Sequence, residues 1–130
     1  WNGTDWERYD DPGSTLIDIP VSSIALDKEG TLWMGSFDHF AFVGRILTFK
    51  DNAWTSYKLD QRNLNSSFPD ALAIDDEGHV WLGVRGTMGG MVVQINNDVW
   101  DIYSRHNVAC LTGGGINTIL IEGDNKWLVS

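Results

Sequence analysis

Ala73-Ile74-Asp75-Asp76-Glu77-Gly78-His79-Val80-Trp81-Leu82-Gly83 is the stretch that decides the fold, because the chain carries it more than once. Ala25-Leu26-Asp27-Lys28-Glu29-Gly30-Thr31-Leu32-Trp33-Met34-Gly35 stands 48 residues earlier, with Ala, Asp, Glu, Gly, Trp and Gly in step. A looser copy follows: Ile119-Leu120-Ile121-Glu122-Gly123-Asp124, then Trp127-Leu128-Val129. Working outward, Trp6, Trp54 and Trp100 each open a Trp-x-x-Tyr pattern completed by Tyr9, Tyr57 and Tyr103. Each of these tryptophans is followed 27 residues later by another, at Trp33, Trp81 and Trp127. The repeat period is 48 and then 46 residues. Self-similarity at such a period marks a repeat architecture.

Within one repeat the apolar runs are short, rich in Ile, Val, Leu, Trp and Tyr, and bounded by Gly, Asn and Asp, which are strand signals. No window holds a 3.6-residue apolar period long enough for a helix. The second repeat reads as four strands, roughly 71–75, 79–84, 90–95 and 99–103. In the Asp-x-Glu-Gly turns the Asp bonds backbone amides ahead of it, and Gly30 or Gly78 accepts the positive φ that closes the turn. Asn and Asp pairs do similar work between the third and fourth strands. Longer connections are expected after the second strand (36–44 and 84–89) and between repeats (10–22, 58–70 and 104–117).

Four antiparallel strands per repeat are the signature of a β-propeller blade. The fold expected is all-β: about two complete four-stranded antiparallel blades plus parts of a third, a partial propeller. Residues 1–9 read as the end of one blade, 22–57 and 70–103 as full blades, and 117–130 as the first hairpin of a further blade. Trp6, Trp33, Trp54, Trp81, Trp100 and Trp127, with Asp27, Gly30, Asp75 and Gly78, read as the blade-packing motif, aromatic side chains filling the gaps between blades. Propellers have 4–8 blades, so these repeats do not close a ring alone. The expected partners are the remaining blades of a longer chain or other copies of this one. About ten residues, those equivalent to 85–94, are missing from a whole number of repeats, which favours a piece of a longer propeller.

The pattern A-x-D-x-x-G-x-x-W-x-G, followed by a Gly-rich loop and D/N-x-x-W-x-x-Y, resembles the two-component-regulator propeller repeat. The resemblance runs through essentially the whole chain. The third copy departs from it, with Ile121 where Asp is expected and Val129 where Gly is expected. It implies the extracytoplasmic sensor portion of a bacterial hybrid histidine kinase, or a related secreted or surface propeller, and hence a periplasmic or extracellular location. Fold does not fix function, however, since many propellers share such blades.

Composition narrows the classes. The chain has 130 residues, 42% hydrophobic and 21% charged, which suits one ordered domain. Its 9 basic and 18 acidic residues give a net charge of −9, which argues against nucleic acid as a partner. No apolar run is long enough to span a membrane. One cysteine, Cys110, excludes an internal disulfide and a multi-cysteine zinc site; it reads as a small buried or half-buried apolar residue.

No nucleophile elbow, zincin motif or phosphate loop is present. His39, His79 and His106 occupy different repeat positions and show no metal-ligand spacing, so no metal and no cofactor are expected. His79 reads as an exposed hairpin residue, and Thr112-Gly113-Gly114-Gly115 as a flexible inter-blade loop. In propellers the connections after strands two and four share one face. Here that face carries Asp38, His39, Phe40, Arg62, Arg85, Arg105 and His106. His39, Phe40, Arg85, Arg105 and His106 are the candidate ligand-binding residues, suited to an acidic glycan or a peptide. The leading expectation is a non-enzymatic ligand-binding or scaffolding module. Its rivals are a secreted structural or adhesive propeller, and a piece of a propeller lyase or lactonase whose site lies in other blades.

Overall fold

A computed structural model describes residues 3–6, 19–87, 89–111 and 113–130 of the chain. Ten strands are described: β1 (Val21–Leu26), β2 (Leu32–Asp38), β3 (Val43–Lys50), β4 (Ala53–Lys58), β5 (Phe68–Ile74), β6 (Val80–Gly86), β7 (Gly89–Asn96), β8 (Val99–Tyr103), β9 (Thr118–Glu122) and β10 (Asn125–Val129). One turn of 3-10 helix, Asp60–Arg62, follows β4. β1–β4 form one antiparallel sheet in chain order, β5–β8 a second, and β9 pairs with β10 as a hairpin. The architecture is all-β: two propeller blades and the first hairpin of a third. Most of the expected leading blade end, residues 1, 2 and 7–9, lies outside the described residues.

Strand alternation sends one set of side chains to each face of a blade. In β6, Val80, Leu82 and Val84 are buried toward the first blade. They meet Ile46, Trp33 and Tyr57 of that blade, together with Val93, Ile95 and Trp100 of their own. The opposite face of the second blade presents Trp81, Val92 and Tyr103, which pack with Leu111, Ile116 and Ile119 beside the third hairpin. The two cores are therefore junctions between blades, as expected where a single sheet cannot bury both its faces.

Glycine sets how closely the blades approach. A Cβ at Gly35 would lie 2.9 Å from the carbonyl oxygen of Pro69 in β5, the innermost strand of the next blade. A Cβ at Gly83, the same position one repeat on, would lie 2.6 Å from the carbonyl oxygen of Ile116. Gly44 and Gly90 repeat the arrangement further out, against the carbonyls of Ser67 and Gly114. The first junction is also pinned by the Ser22 hydroxyl, which donates to the Pro69 carbonyl. Both innermost strands shift register at matching places, between Val21 and Ser23 and between Pro69 and Ala71. Pro69, which has no N–H to donate to a ladder, sits at that irregularity.

These glycines explain why the connections expected at 36–44 and 84–89 are shorter. The ladder continues to the pairs Asp38↔Val43 and Gly86↔Gly89, leaving only 39–42 and 87–88 between strands. Glycine-rich composition reads as loop, but here it marks strands pressed by a neighbouring backbone. The run Gly113-Gly114-Gly115 likewise packs instead of forming a flexible loop. Gly90 donates to the Gly113 carbonyl at 3.0 Å, and a Cβ on buried Gly115 would lie 2.4 Å from Arg85 Cβ.

Each Asp-x-Glu-Gly turn is held by its aspartate. Asp75 Oδ1 accepts from the amides of Glu77 (3.1 Å) and His79 (2.9 Å), and Oδ2 accepts from the Trp81 indole at 2.8 Å. Asp27 does the same with Glu29 (2.9 Å), Thr31 (2.8 Å) and the Trp33 indole (2.9 Å). Gly30 and Gly78 close the turns at φ 81° and 89°, a conformation costly for other residues. The third hairpin differs: a two-residue turn, Gly123-Asp124, joins Glu122 directly to its partner Asn125. With the turn shortened, Glu122 Oε2 takes the indole of Trp127 at 3.3 Å. The carboxylate missing at Ile121 is thus supplied by the next residue, whose side chain is one methylene longer.

Burial raises the Asp75 carboxyl, but the Trp81 indole and the amide and ring of His79 outweigh it and hold it below the usual carboxylate range. At Asp27 burial also raises the carboxyl and is outweighed by the Trp33 indole and by Thr31 and Glu29.

Two outcomes follow for stability. Gly83→Ala destabilises by about 1–3 kcal/mol in urea denaturation because the Ile116 backbone has to move, whereas Gly114→Ala, where a Cβ meets no atom within 4 Å, stays within about 0.5 kcal/mol of wild type. Since Asp27 and Asp75 have depressed folded-state pKa values, their stabilising contribution is full above the unfolded carboxylate value near pH 4 and is lost as pH falls through the lower folded-state values. An acid titration followed by tryptophan fluorescence therefore shows the loss below about pH 4, and Asp75→Asn shrinks it.

Candidate functional site

The connections from β2 to β3, β4 to β5, β6 to β7 and β8 to β9 lie at one common end of the sheets. Where the first two blades meet at this end lies a cleft of about 230 Å³, lined by Ser22, Phe37, His39, Phe68, Asp70 and Arg85 among others. Phe37 is next to last in β2 and Phe68 begins β5, so the blade junction brings together two rings from different repeats. They stack with centroids 3.7 Å apart and planes 18° from parallel. The His39 ring meets Phe37 edge-on at 5.1 Å. On the other side the Arg85 guanidinium lies 4.7 Å over the Phe68 ring. It also donates to Asp70 through Nε (2.8 Å) and Nη2 (3.4 Å). The Asp70 bond and charge push the Arg85 pKa up. The result is one continuous run, His39–Phe37–Phe68–Arg85–Asp70, across two blades.

Of the five candidate ligand-binding residues, the structure gathers His39 and Arg85 at this cleft. Phe40 sits in the adjacent turn with its side chain in solvent, 97% exposed. Arg105 and His106 occupy the tight Ser104–Asn107 turn beyond β8, the outermost strand, and do not line the cleft. Asp38 and Arg62, on the same face, have structural partners. Asp38 accepts from the amides of Phe40 and Ala41 and from Arg45, which hold its carboxyl below the usual range. Arg62 lies 5.0 Å over Trp100. Phe37, Phe68 and Asp70 escaped the sequence reading because they stand outside the tryptophan pattern. The available signal was a phenylalanine near the end of a second strand and another at the start of a first.

The blade-packing residues divide. Trp33 and Trp81 are half-buried at the two junctions, held by Asp27 and Asp75. Trp100 lies in the first core and Trp54 against Phe49 at 4.8 Å. Trp6 and Trp127, expected to fill gaps between blades, are instead 88% and 56% exposed, because no described blade stacks against them. His79 is not an exposed hairpin residue: its Nδ1 lies 3.1 Å from Asp75 Oδ2 and 3.4 Å from Glu77 Oε2, and its side chain is mostly buried. Lys126 of the third hairpin reaches the same Asp75 at 3.9 Å and lies 5.3 Å over the Trp81 ring, tying β10 to the second blade. Cys110, expected buried or half-buried, is exposed.

Residues 15–38, which include the first hairpin of the first blade, match the family model described as two component regulator propeller. No curated protein and no solved structure matches the chain.

Proposed function

Starting from a propeller repeat of the two-component-regulator type, we propose that this chain is a non-enzymatic binding module of an extracytoplasmic propeller, and that it takes its ligand at the cleft between the first two blades. The observation that carries this reading is the aromatic and guanidinium stack spanning that junction. A ring-bearing ligand finds apolar faces there beside a cation. Arg85 gives two of its five N–H donors to Asp70, and its side chain remains 54% exposed, so donors are left for a carboxylate or hydroxyl. His39 borders the same opening. An acidic glycan fits this chemistry best, with a carboxylate-bearing peptide as the alternative. Among the described residues that line the cleft, the carboxylate of Asp70 is held by Arg85, an arrangement suited to fixing the guanidinium for ligand binding.

The test is an array of acidic glycans and peptides probed with the wild-type chain, Arg85→Ala and His39→Ala. The reading expects at least one ligand whose binding falls by about tenfold or more, ~1.4 kcal/mol, in Arg85→Ala. Ligands bound equally by all three proteins contradict it.

A further inference from the structure

We propose that the charge of this protein is segregated along the strand axis, so that the end carrying the cleft admits anions while the opposite end repels them. As a source of ligand selectivity this segregation rests on the acidic-ligand reading of the cleft. A net charge of −9 spread evenly over the surface would oppose an anionic ligand.

The hairpin turns joining β1 to β2, β3 to β4, β5 to β6, β7 to β8 and β9 to β10 share the end away from the cleft. They hold eight carboxylates and one lysine, Lys28, a net −7. The connections at the cleft end hold Asp60, Arg62 and Arg105, a net +1 with the histidines neutral. Strand ends sharpen the difference. Toward the cleft end Asp38 is tied to Arg45 at 3.1 Å and Asp70 to Arg85 at 2.8 Å, so each of these carboxylates has its own cation. Lys58, exposed at the end of β4, adds a further positive charge. At the turn end Lys28 reaches Asp76 at 3.5 Å and Lys50 reaches Glu29 at 3.0 Å, but the remaining carboxylates outnumber the lysines.

The asymmetry belongs to the blade and does not depend on where the chain stops. The turns of the first blade sum to −2 and those of the second to −4. Each blade needs an aspartate at its first turn to hold the indole of the next strand, at Trp33 and again at Trp81, so the repeat itself returns a carboxylate to the same end. Strands of six to eight residues, rising about 3.3 Å per residue, hold the two ends roughly 20 Å apart. The Debye length at physiological ionic strength is about 8 Å. An anion approaching the cleft therefore meets the charge of the near end, with the far carboxylates screened. Lys58, Arg62 and Arg105 do not line the cleft; they select by charge during approach and not through bound contacts.

Cysteines placed at the two ends of the first sheet read the local potential. In a Cys110→Ser background, Phe40→Cys lies in the turn beside the cleft and Ala53→Cys beside the opposite turn, and both replace exposed residues. Each protein is reacted with two methanethiosulfonates, one ending in a sulfonate and one in a trimethylammonium group. Taking the ratio of the anionic to the cationic rate removes the reactivity of the thiol itself. The ratio is expected to be about fivefold or more higher at position 40 than at position 53 in ~0.05 M salt, and the difference to close by ~0.5 M. Lys58→Glu lowers the ratio at position 40 and leaves position 53 unchanged. Equal ratios at the two positions, a difference that persists in high salt, or an equal fall at both positions in Lys58→Glu overturns the proposal. The ratios need no bound ligand, so a failure of the glycan and peptide array and a failure of charge segregation are told apart.

Discussion

A carboxylate at the hairpin turn that holds the indole of the following strand is the interaction on which the rest of this structure depends. Asp27 and Asp75 each use one oxygen to fix the turn and the other to hold Trp33 or Trp81. The same side chain therefore closes the hairpin locally and aims the largest apolar group of the repeat at the neighbouring blade. A half-buried indole N–H without an acceptor would carry a desolvation cost, so orientation and satisfaction come together. At Asp75 the arrangement widens to His79 and, from the next blade, Lys126.

Close approach is the second constraint, and it works only because the first has placed the tryptophans. Gly35 and Gly83 let the backbone of the next innermost strand or segment press against β2 and β6. That contact, repeated, is what stacks blades. It also creates the cleft: with Pro69 held against Gly35, Phe68 is brought onto Phe37 and Arg85 onto Phe68. The candidate binding groups are thus carried on rigid strands and their first turn residues, the placement that favours a preformed site.

How much of this was legible in the sequence depends on range. The blades were, because a fixed period carries its own alignment: Asp75, Gly78, Trp81 and Gly83 repeat Asp27, Gly30, Trp33 and Gly35. The strand ends were less so, because Gly44, Gly89 and Gly90 look like loop residues until a neighbouring backbone is placed over them. In the third hairpin Ile121 reads as a lost aspartate, since nothing in the local pattern shows that the turn has shortened and handed the indole to Glu122. The cleft was half legible. Its exposed cation and imidazole stand in turns and at strand ends, where function concentrates, but the aromatic pair beneath them is a contact between repeats. Arg105 and His106 share a face with the cleft without sharing the site, because a face spans a whole blade from innermost to outermost strand.

The most direct test of the carboxylate–indole account is a double-mutant cycle on Asp75→Ala and Trp81→Phe, read by urea denaturation. If the bond organises the blade, the two changes are non-additive, with a coupling of about 1–3 kcal/mol between them. Additivity within about 0.3 kcal/mol would mean that turn and tryptophan act independently, and would contradict the account.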